Sequence, residues 1–301
     1  MCDPVEAVLY SEKKDKEALE SLKRQMSNSS KLQRDLIKQK VKELETEIRA
    51  SKAIKKAMAR SVDGLTGALQ RALEQGSPES LLSLPNDALS SLVLRSGLDL
   101  VVDEIIEQSD RIAQATVEGI QIVDPSFELP AIEQQVQELQ IAITDRVVDT
   151  VLVPDTVRAV QDSLIAATVD GQEVAISSLA QRLKKSEGRQ LTEIRTQISS
   201  YGRGVAAQAG AYAGLNLALY TGPDDGIARG FCRALVDLVL DEDQMSRLNN
   251  QQGLSFKLSG GGYNCRHSLS YVSAGFVEAG NLKRATSKDI SKANARARGE
   301  S

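Results

Sequence analysis

Apolar residues recur at helical spacing along most of the chain, which predicts a mainly α-helical fold. Residues 5–62 contain no glycine and are rich in Lys, Glu, Leu, Gln and Ala, all good helix formers. A break is expected at residues 27–30, where Ser and Asn cluster. Beyond it, apolar residues follow the a/d spacing of a coiled coil: Ile37, Val41, Leu44 and Ile48. The pattern predicts a long helix or helical hairpin that Gly64 and Gly67 end.

The apolar stripe of this N-terminal arm is narrow. Two regular heptads fall short of the three or four that define a coiled coil. Such a stripe favours packing on a partner chain or on a neighbouring copy of the same chain. Packing back onto the arm's own domain is the alternative.

Proline and glycine divide the next stretch, residues 64–190, into several predicted helices. Ser77 and Pro78 have the residue types of an N-cap and a first helical position. Further turns or helix starts are marked at Pro85, Asp124–Pro125, Pro130 and Pro154. Residues 157–183 predict a helix with a weak point at Asp170–Gly171. Residues 191–219 predict one more helix, and its frequent Gly and Ala favour close packing.

From Tyr220 onward, short elements alternate with turns. Two short helices are predicted at residues 227–239 and 241–248. Phe256 and Leu258 predict a small strand that pairs with residues 268–272 as a hairpin. Residues 281–301 predict a polar tail that is mobile or ordered only on a partner. The predicted domains are a helical arm (1–63), a helical middle domain (64–190), a small α+β C-terminal module with a short hairpin (191–280) and a basic tail (281–301).

Composition agrees with a helical globular protein. Hydrophobic residues make up 41% and charged residues 26%, but aromatic residues only 3%. A core poor in aromatic residues suits helices better than a β-sandwich. Three cysteines are too few for a disulfide scaffold, and no apolar run resembles a membrane span or signal peptide. We therefore expect no membrane association and synthesis in the cytoplasm.

The net charge of −4 is unevenly distributed. Residues 11–60 carry 15 Lys/Arg against 8 Asp/Glu, and residues 281–301 carry 6 against 2, so two basic ends flank an acidic middle. Basic ends can contact nucleic acid or an acidic protein surface, and a solvated helix face with a loose tail is the alternative. The candidate contact residues are Lys52, Lys55, Lys56, Arg60, Lys283, Arg284, Lys288, Lys292, Arg296 and Arg298.

A series of motifs follows a helix that contains Tyr201 and many small residues. The motifs are Tyr-Thr-Gly-Pro-Asp-Asp (220–225), Arg-Gly-Phe-Cys-Arg (229–233), Asp-Gln-Met-Ser-Arg-Leu-Asn-Asn-Gln-Gln-Gly (243–253) and Gly-Gly-Tyr-Asn-Cys-Arg-His-Ser (261–268). In this order they resemble the C-terminal module of the Mu F-type head-morphogenesis family of tailed phages, over roughly residues 190–273. The chain departs from the family at Gly230 and at residues 270–272, where proline is usual.

The most specific part of the resemblance is the final box. It comprises Gly261, Gly262, Tyr263, Asn264, Cys265, Arg266 and His267. The glycines from Gly260 onward lack the Gly-Lys-Ser/Thr ending of a phosphate loop, so they predict a tight turn. Asn264 and Arg266 are expected to bind backbone groups that hold the predicted hairpin together.

The resemblance implies a structural minor head protein that lies at or near the portal vertex of a tailed-phage virion and is not an enzyme. It would act in head assembly or in genome packaging and ejection, after assembly in the host cytoplasm. The implied partners are the portal protein, the major capsid protein or both. Packaged DNA, bound through phosphate contacts, and a second copy bound through the arm are further candidates. An internal DNA-contacting protein or a neck/connector protein is the alternative, and a Cys/His metal-dependent enzyme a remote one.

Cys232, Cys265 and His267 have side chains that can bind zinc, and Asp224 or Asp225 could add an oxygen. The Cys-x-His spacing is tighter than in most structural zinc sites. We therefore expect no cofactor, with a structural zinc ion as the alternative. In the favoured interpretation the two cysteines are small buried residues or pair when oxidised, and His267 forms local hydrogen bonds. Cys232 and His267 could also form a nucleophile pair, but no orienting third group is evident.

Overall fold

The computed structural model describes the backbone of residues 4–27 and 29–300, and the side chains of residues 13–27 and 29–300. Two residues counted above lie outside the described residues: Cys2, one of the three cysteines, and Asn28 of the predicted break. The fold is mainly α, with a small four-stranded sheet near the C-terminus, as predicted. Within the described residues, no helix is both long and apolar enough to cross a membrane.

Contacts divide the chain into two compact units. The first unit contains the start of the N-terminal helix together with Ala50–Gln108 and Ala142–Ile194. The second contains Leu9–Arg49, Ser109–Ile141 and the chain from Arg195 onward. Each unit therefore combines stretches from several predicted domains, whose boundaries stay a prediction.

Eight helices, from 5 to 45 residues long, make up most of the chain up to Tyr212 within the described residues. They are α1 (Pro4–Ser27), α2 (Lys31–Gln75), α3 (Pro78–Leu82), α4 (Asn86–Val93), α5 (Asp99–Gln121), α6 (Glu133–Val147), α7 (Val153–Asp170) and α8 (Gln172–Tyr212). Two π-helical turns, Leu94–Leu98 and Val148–Leu152, precede α5 and α7, and a 3₁₀ turn, Leu129–Ile132, precedes α6. The Ser77 side chain accepts a bond from the Ser80 N–H and caps α3, as predicted. Gly171, with φ of 92°, separates α7 from α8, so the predicted weak point in one helix over residues 157–183 is a complete break.

Two predicted helix ends were wrong. Helix α2 continues through Gly64 and Gly67 to Gln75. Gly64 is a packing position, because a Cβ there would lie 2.5 Å from the Ser96 carbonyl oxygen. Helix α8 ends at Tyr212, well before residue 219, because Gly214 adopts a positive φ of 69° and terminates it. The helix is also continuous from Gln172, so the predicted division between residues 183 and 191 was wrong.

The C-terminal part of the second unit contains the sheet and short helices. The elements are β1 (Leu217–Thr221), α9 (Gly230–Arg233), β2 (Leu238–Asp241), α10 (Glu242–Ser246), α11 (Phe256–Ser259), β3 (Ser268–Val272), α12 (Ala274–Ala279), β4 (Lys283–Arg284) and α13 (Ser287–Ala297). The strand order is β3-β1-β2-β4. Strand β1 is antiparallel to β2 and β3, and β4 is parallel to β2.

Three predictions for this part need correction. Phe256 and Leu258 lie in a helical turn, α11, so the partner of β3 is β1. Of the helix expected at residues 227–239, only the short α9 forms, and the last two residues of that stretch belong to strand β2. The burial of Phe256 and the pairing of Leu238–Asp241 with β1 are non-local contacts, which override local helix or strand preference.

The basic tail is also ordered within the chain. Thr286 and Asp289 form a capping box at the start of α13. Ile290 and Ala293 are buried, and α13 packs on α9. The expectation of a tail that is mobile or needs a partner was therefore wrong, because two apolar residues on one helical face suffice to dock it.

The apolar stripe of the N-terminal arm is covered inside the second unit. Four buried residues of α1 and α2 form one cluster, namely Ala18, Leu22, Ile37 and Leu44. Leu36 joins Leu217, Leu219 and Val272 of the sheet in another cluster. The arm thus packs on its own chain, which was the alternative in the sequence interpretation. Self-association through the arm stays a prediction.

Part of the arm's positive charge is also neutralised within this unit. The Lys40 side chain is only 2% exposed, and its Nζ lies 3.5 Å from Glu43 Oε2 and 3.8 Å from Glu47 Oε1. Burial raises the pKa of Glu43, although Lys40 opposes that shift. Lys42 pairs with Glu118. Lys40 is therefore not available to a partner, whereas the Lys42 side chain stays about half exposed in its ion pair.

Candidate metal centre

The C-terminal module brings Cys232, Cys265 and His267 together in its interior. Cys232 comes from α9, and the other two come from the segment that leads into β3. One potential ligand atom from each residue lies within 4.8 Å of the others. All three are at most 4% exposed. The structure therefore places the three predicted metal-ligating residues in one cluster.

The distances in the cluster exclude a disulfide in this state but suit a shared ligand. The Cys232 and Cys265 Sγ atoms are 3.9 Å apart, and both thiols are free. Cys265 Sγ lies 3.7 Å from His267 Nδ1. Two thiolates on one tetrahedral zinc, each about 2.3 Å from the metal, would be about 3.8 Å apart. The observed separations are close to that spacing.

Tyr220 of β1 closes another side of the cluster, and the sequence interpretation did not single it out. Its hydroxyl lies 3.5 Å from Cys232 Sγ and 3.6 Å from Cys265 Sγ. Its ring stacks on the His267 imidazole, with centroids 5.1 Å apart and an interplanar angle of 6°. Tyr220 opens the first of the family-like motifs, which was the available signal for its importance.

Glycines make room for these side chains. A Cβ on Gly261 would overlap the Cys232 sulfur, and a Cβ on Gly222 would overlap the His267 ring. The Gly261 N–H also donates to Cys265 Sγ over 3.1 Å. Gly260 and Gly262 have positive φ of 55° and 101°, so the predicted tight turn is confirmed. The glycines shape the wall of the cluster.

Arg203 of α8 anchors the segment that carries Cys265 and His267. Its Nη1 donates to the carbonyl oxygen of His267 over 2.9 Å and to that of Cys265 over 3.4 Å. Its Nε donates to the Leu258 carbonyl. Arg203 is 3% exposed, so this cation holds three backbone carbonyls in the interior. It was missed because its role depends on contacts more than 50 residues away.

The protonation preferences of the two cysteines differ. Hydrogen bonding from the Cys232 thiol, with contributions from His267 and Arg203, holds the pKa of Cys265 well below its ordinary value despite burial. The same contact, together with burial, raises the pKa of Cys232. Burial raises the pKa of the Tyr220 hydroxyl. Cys265 is therefore the sulfur that most readily carries negative charge, and Cys232 and Tyr220 can donate to it.

Asp225, a possible oxygen ligand of zinc in the sequence interpretation, is not among the residues of the cluster. Its carboxylate forms a bidentate ion pair with Arg266, at 2.8 and 2.9 Å, and accepts from the Ile227 and Ala228 N–H groups. Burial opposes ionisation of Asp225, but the Arg266 bonds lower its pKa on balance. Arg266 also donates to the Lys14 carbonyl. Arg266 thus links the box to the N-terminal arm as well as to Asp225.

The remaining residues of the box make separate contacts. Asn264 adopts a positive φ of 54°, and its N–H donates to Thr196 Oγ1 over 3.1 Å. The Tyr263 N–H donates to Gln252 Oε1, and Tyr263 is 39% exposed. Because Phe256–Leu258 is helical, Asn264 and Arg266 do not hold a hairpin there as predicted. They fasten the box to α8, to residues 222–228 and to the arm.

The candidate contact residues fall into two groups. Lys52, Lys55, Lys56 and Arg60 lie on the part of α2 in the first unit, and Arg60 lies 4.0 Å from Glu104. The second group belongs to β4, α13 and the residue after it, namely Lys283, Arg284, Lys288, Lys292, Arg296 and Arg298, all exposed. Lys288, Lys292 and Arg296 recur every four residues and share one face of α13. Arg298 pairs with Glu300.

Comparison with known proteins gives no relative for this arrangement. No family model, no curated protein and no solved structure matches the chain.

Proposed function

We propose that the chain is a structural minor head protein of a tailed-phage virion. In this proposal it docks at or near the portal vertex, on the portal protein, the major capsid protein or both. It acts in head assembly or in genome packaging and ejection. The observation that carries the proposal is the series of motifs from Tyr220 to Ser268, which resembles the Mu F-type family.

The arrangement of the box supports a structural role over a chemical one. Cys232, Cys265 and His267 are at most 4% exposed, whereas a nucleophilic thiol must reach its substrate. Each residue of the box from Tyr263 to His267 makes contacts that fasten it to other elements. A module held this rigidly is suited to presenting a fixed surface to neighbours in an assembly.

The test of docking uses exposed residues. Deleting the arm or the tail would be uninformative, because Leu36 and Ile290 are buried. Lys52→Glu/Lys56→Glu should reduce co-purification with the portal protein encoded by the same genome. The matched control is Lys184→Glu/Lys185→Glu, two exposed lysines of α8. If wild type and the Lys52/Lys56 variant are retained equally on the portal protein, docking does not occur through α2. If wild type is retained on neither portal nor capsid protein, the proposal is contradicted.

An internal DNA-contacting protein is the second candidate, favoured by the basic face of α13. Lys288 and Lys292 are exposed and can contact adjacent phosphates. Lys288→Gln/Lys292→Gln should lower the slope of log affinity against log salt by about 1.8 on duplex DNA. Lys184→Gln/Lys185→Gln is the control with the same charge change. Absence of wild-type binding to DNA at low salt would exclude this candidate.

A further inference from the structure

We propose that Cys232, Cys265 and His267 bind one zinc ion that holds α9, the glycine-rich turn and β3 together. The ligand set, two sulfurs and one imidazole nitrogen, is of the kind that binds zinc in structural sites. The inference stands on the geometry of these side chains and does not depend on the proposed virion function.

Two of the three separations in the cluster match a tetrahedral ion, and the third, from Cys232 Sγ to His267, is at most 4.8 Å. The Sγ–Sγ distance of 3.9 Å and the Sγ–Nδ1 distance of 3.7 Å are within about 0.2 Å of those expected around zinc. The Tyr220 hydroxyl is almost equidistant from the two sulfurs, at 3.5 and 3.6 Å. It lies where a fourth group would complete the coordination or donate to a bound thiolate.

The poorly partnered imidazole is the second observation that points to a ligand. His267 is 2% exposed, and among the described residues its Nε2 makes no hydrogen bond. Its Nδ1 faces the sulfurs and lies 3.7 Å from Cys265 Sγ, the one contact of that nitrogen among the described residues. Zinc bound at Nδ1 would place the proton on Nε2. The buried ring would thereby gain one strong interaction, through the nitrogen that faces the two sulfurs.

The surroundings are those of a supported metal site. The Gly261 N–H donates to Cys265 Sγ, and Arg203 fixes the carbonyls of Cys265 and His267. Such outer contacts orient ligands before the metal binds. Two thiolates would also balance the charge of a divalent zinc ion, so the loaded centre could be buried without net charge. Binding would release the thiol protons to solvent.

The first experiment measures metal in the full-length protein. Protein produced with zinc in the medium and purified under reducing conditions should contain about one zinc per chain. His267→Ala and Cys265→Ser should each lose most of that zinc. Cys2→Ser, which removes the third cysteine, is the matched control and should retain it. Wild-type protein that stays zinc-free after incubation with excess zinc would overturn the proposal.

A second measurement uses only the wild-type protein, so it does not depend on whether a variant folds. Zinc is removed with a chelator and replaced with Co²⁺ under reducing conditions. Two thiolate ligands should produce a thiolate-to-cobalt charge-transfer band and the visible d–d bands of a tetrahedral site, which zinc then displaces. Absence of the charge-transfer band in folded protein would overturn the proposal. Peptide mapping that finds a Cys232–Cys265 disulfide in freshly purified, zinc-free protein would overturn it as well.

Discussion

The exposed helix surface of the first unit and the C-terminal module of the second unit use polar groups and glycines in different ways. The Arg182–Asp162 pair of the first unit is more than 40% exposed on both sides, and Gly188 of α8 faces open space. The C-terminal part of the second unit buries a thiol pair, an imidazole and an ion pair, and uses glycine where no side chain fits. The exposed positions of the first unit should therefore tolerate substitutions, unlike its close-packed Gly64, whereas the buried positions of the second unit should not.

The largest contrast is expected between two glycine-to-alanine changes. Gly261→Ala should destabilise the second unit by about 3 kcal/mol, because the new Cβ overlaps the Cys232 sulfur. Gly188→Ala should stabilise the first unit by about 1 kcal/mol, because alanine is the better helix former. Hydrogen exchange read by mass spectrometry assigns each change to its unit. Similar stabilities for the two variants would contradict the contrast.

The next contrast concerns ion pairs. Asp225→Ala leaves the Arg266 guanidinium, whose side chain is 12% exposed, without its carboxylate and removes the cap of residues 227 and 228. We expect a loss of about 3 kcal/mol in the free energy of unfolding. Asp162→Ala, at a pair whose side chains are 45% and 41% exposed, should cost about 0.5 kcal/mol. Urea titrations at low and high salt measure both.

A loss at Asp225 no larger than that at Asp162 would show that the Arg266 pair is not structurally important. The pH dependence gives an independent check. Because the folded-state pKa of Asp225 is lowered, its contribution is present above the unfolded pKa of the carboxyl and disappears as pH falls through the folded value. The stability difference between wild type and Asp225→Ala should therefore shrink toward acidic pH.

The smallest contrast is expected between two tyrosines that each lose a hydroxyl. Tyr220→Phe should destabilise the second unit by about 1 kcal/mol, because its hydroxyl contacts both cysteine sulfurs. Tyr201 in the same unit is a matched control, since its buried hydroxyl has no hydrogen-bond partner among the described residues. Tyr201→Phe should be neutral or slightly stabilising. Thermal denaturation of both variants measures the difference, and a larger loss at Tyr201 would reverse the interpretation.

Features that depend on neighbouring residues could be predicted from the sequence. The Ser77 cap and the mainly α fold follow from local patterns, and the structure confirms them. Gly171 was recognised as a weak point, but not as the complete break that the structure shows. Gly64 was misread as a helix end because its role is set by a close contact with Ser96, far along the chain. Phe256 was misread as a strand residue because a short apolar run carries no clear period.

The members of the Cys/His cluster could be predicted from the sequence, but the residues that support it could not. Cys232, Cys265 and His267 stood out as residue types, and the structure brings them together. Tyr220 and Arg203 were missed, since only the folded chain places a strand residue and a helix residue against the box. Asp225 was one of two possible oxygen ligands in the zinc alternative, and the structure pairs it with Arg266 instead, a contact that the sequence does not reveal.

The proposed virion function is tested most directly by quantitative mass spectrometry of purified particles of the phage whose genome encodes the chain. The account predicts that the protein remains with infectious particles through density-gradient purification. It should be present in few copies per particle, comparable to the portal protein and far below the major capsid protein. Absence from purified, infectious particles, while the protein is present in the lysate, would contradict the account.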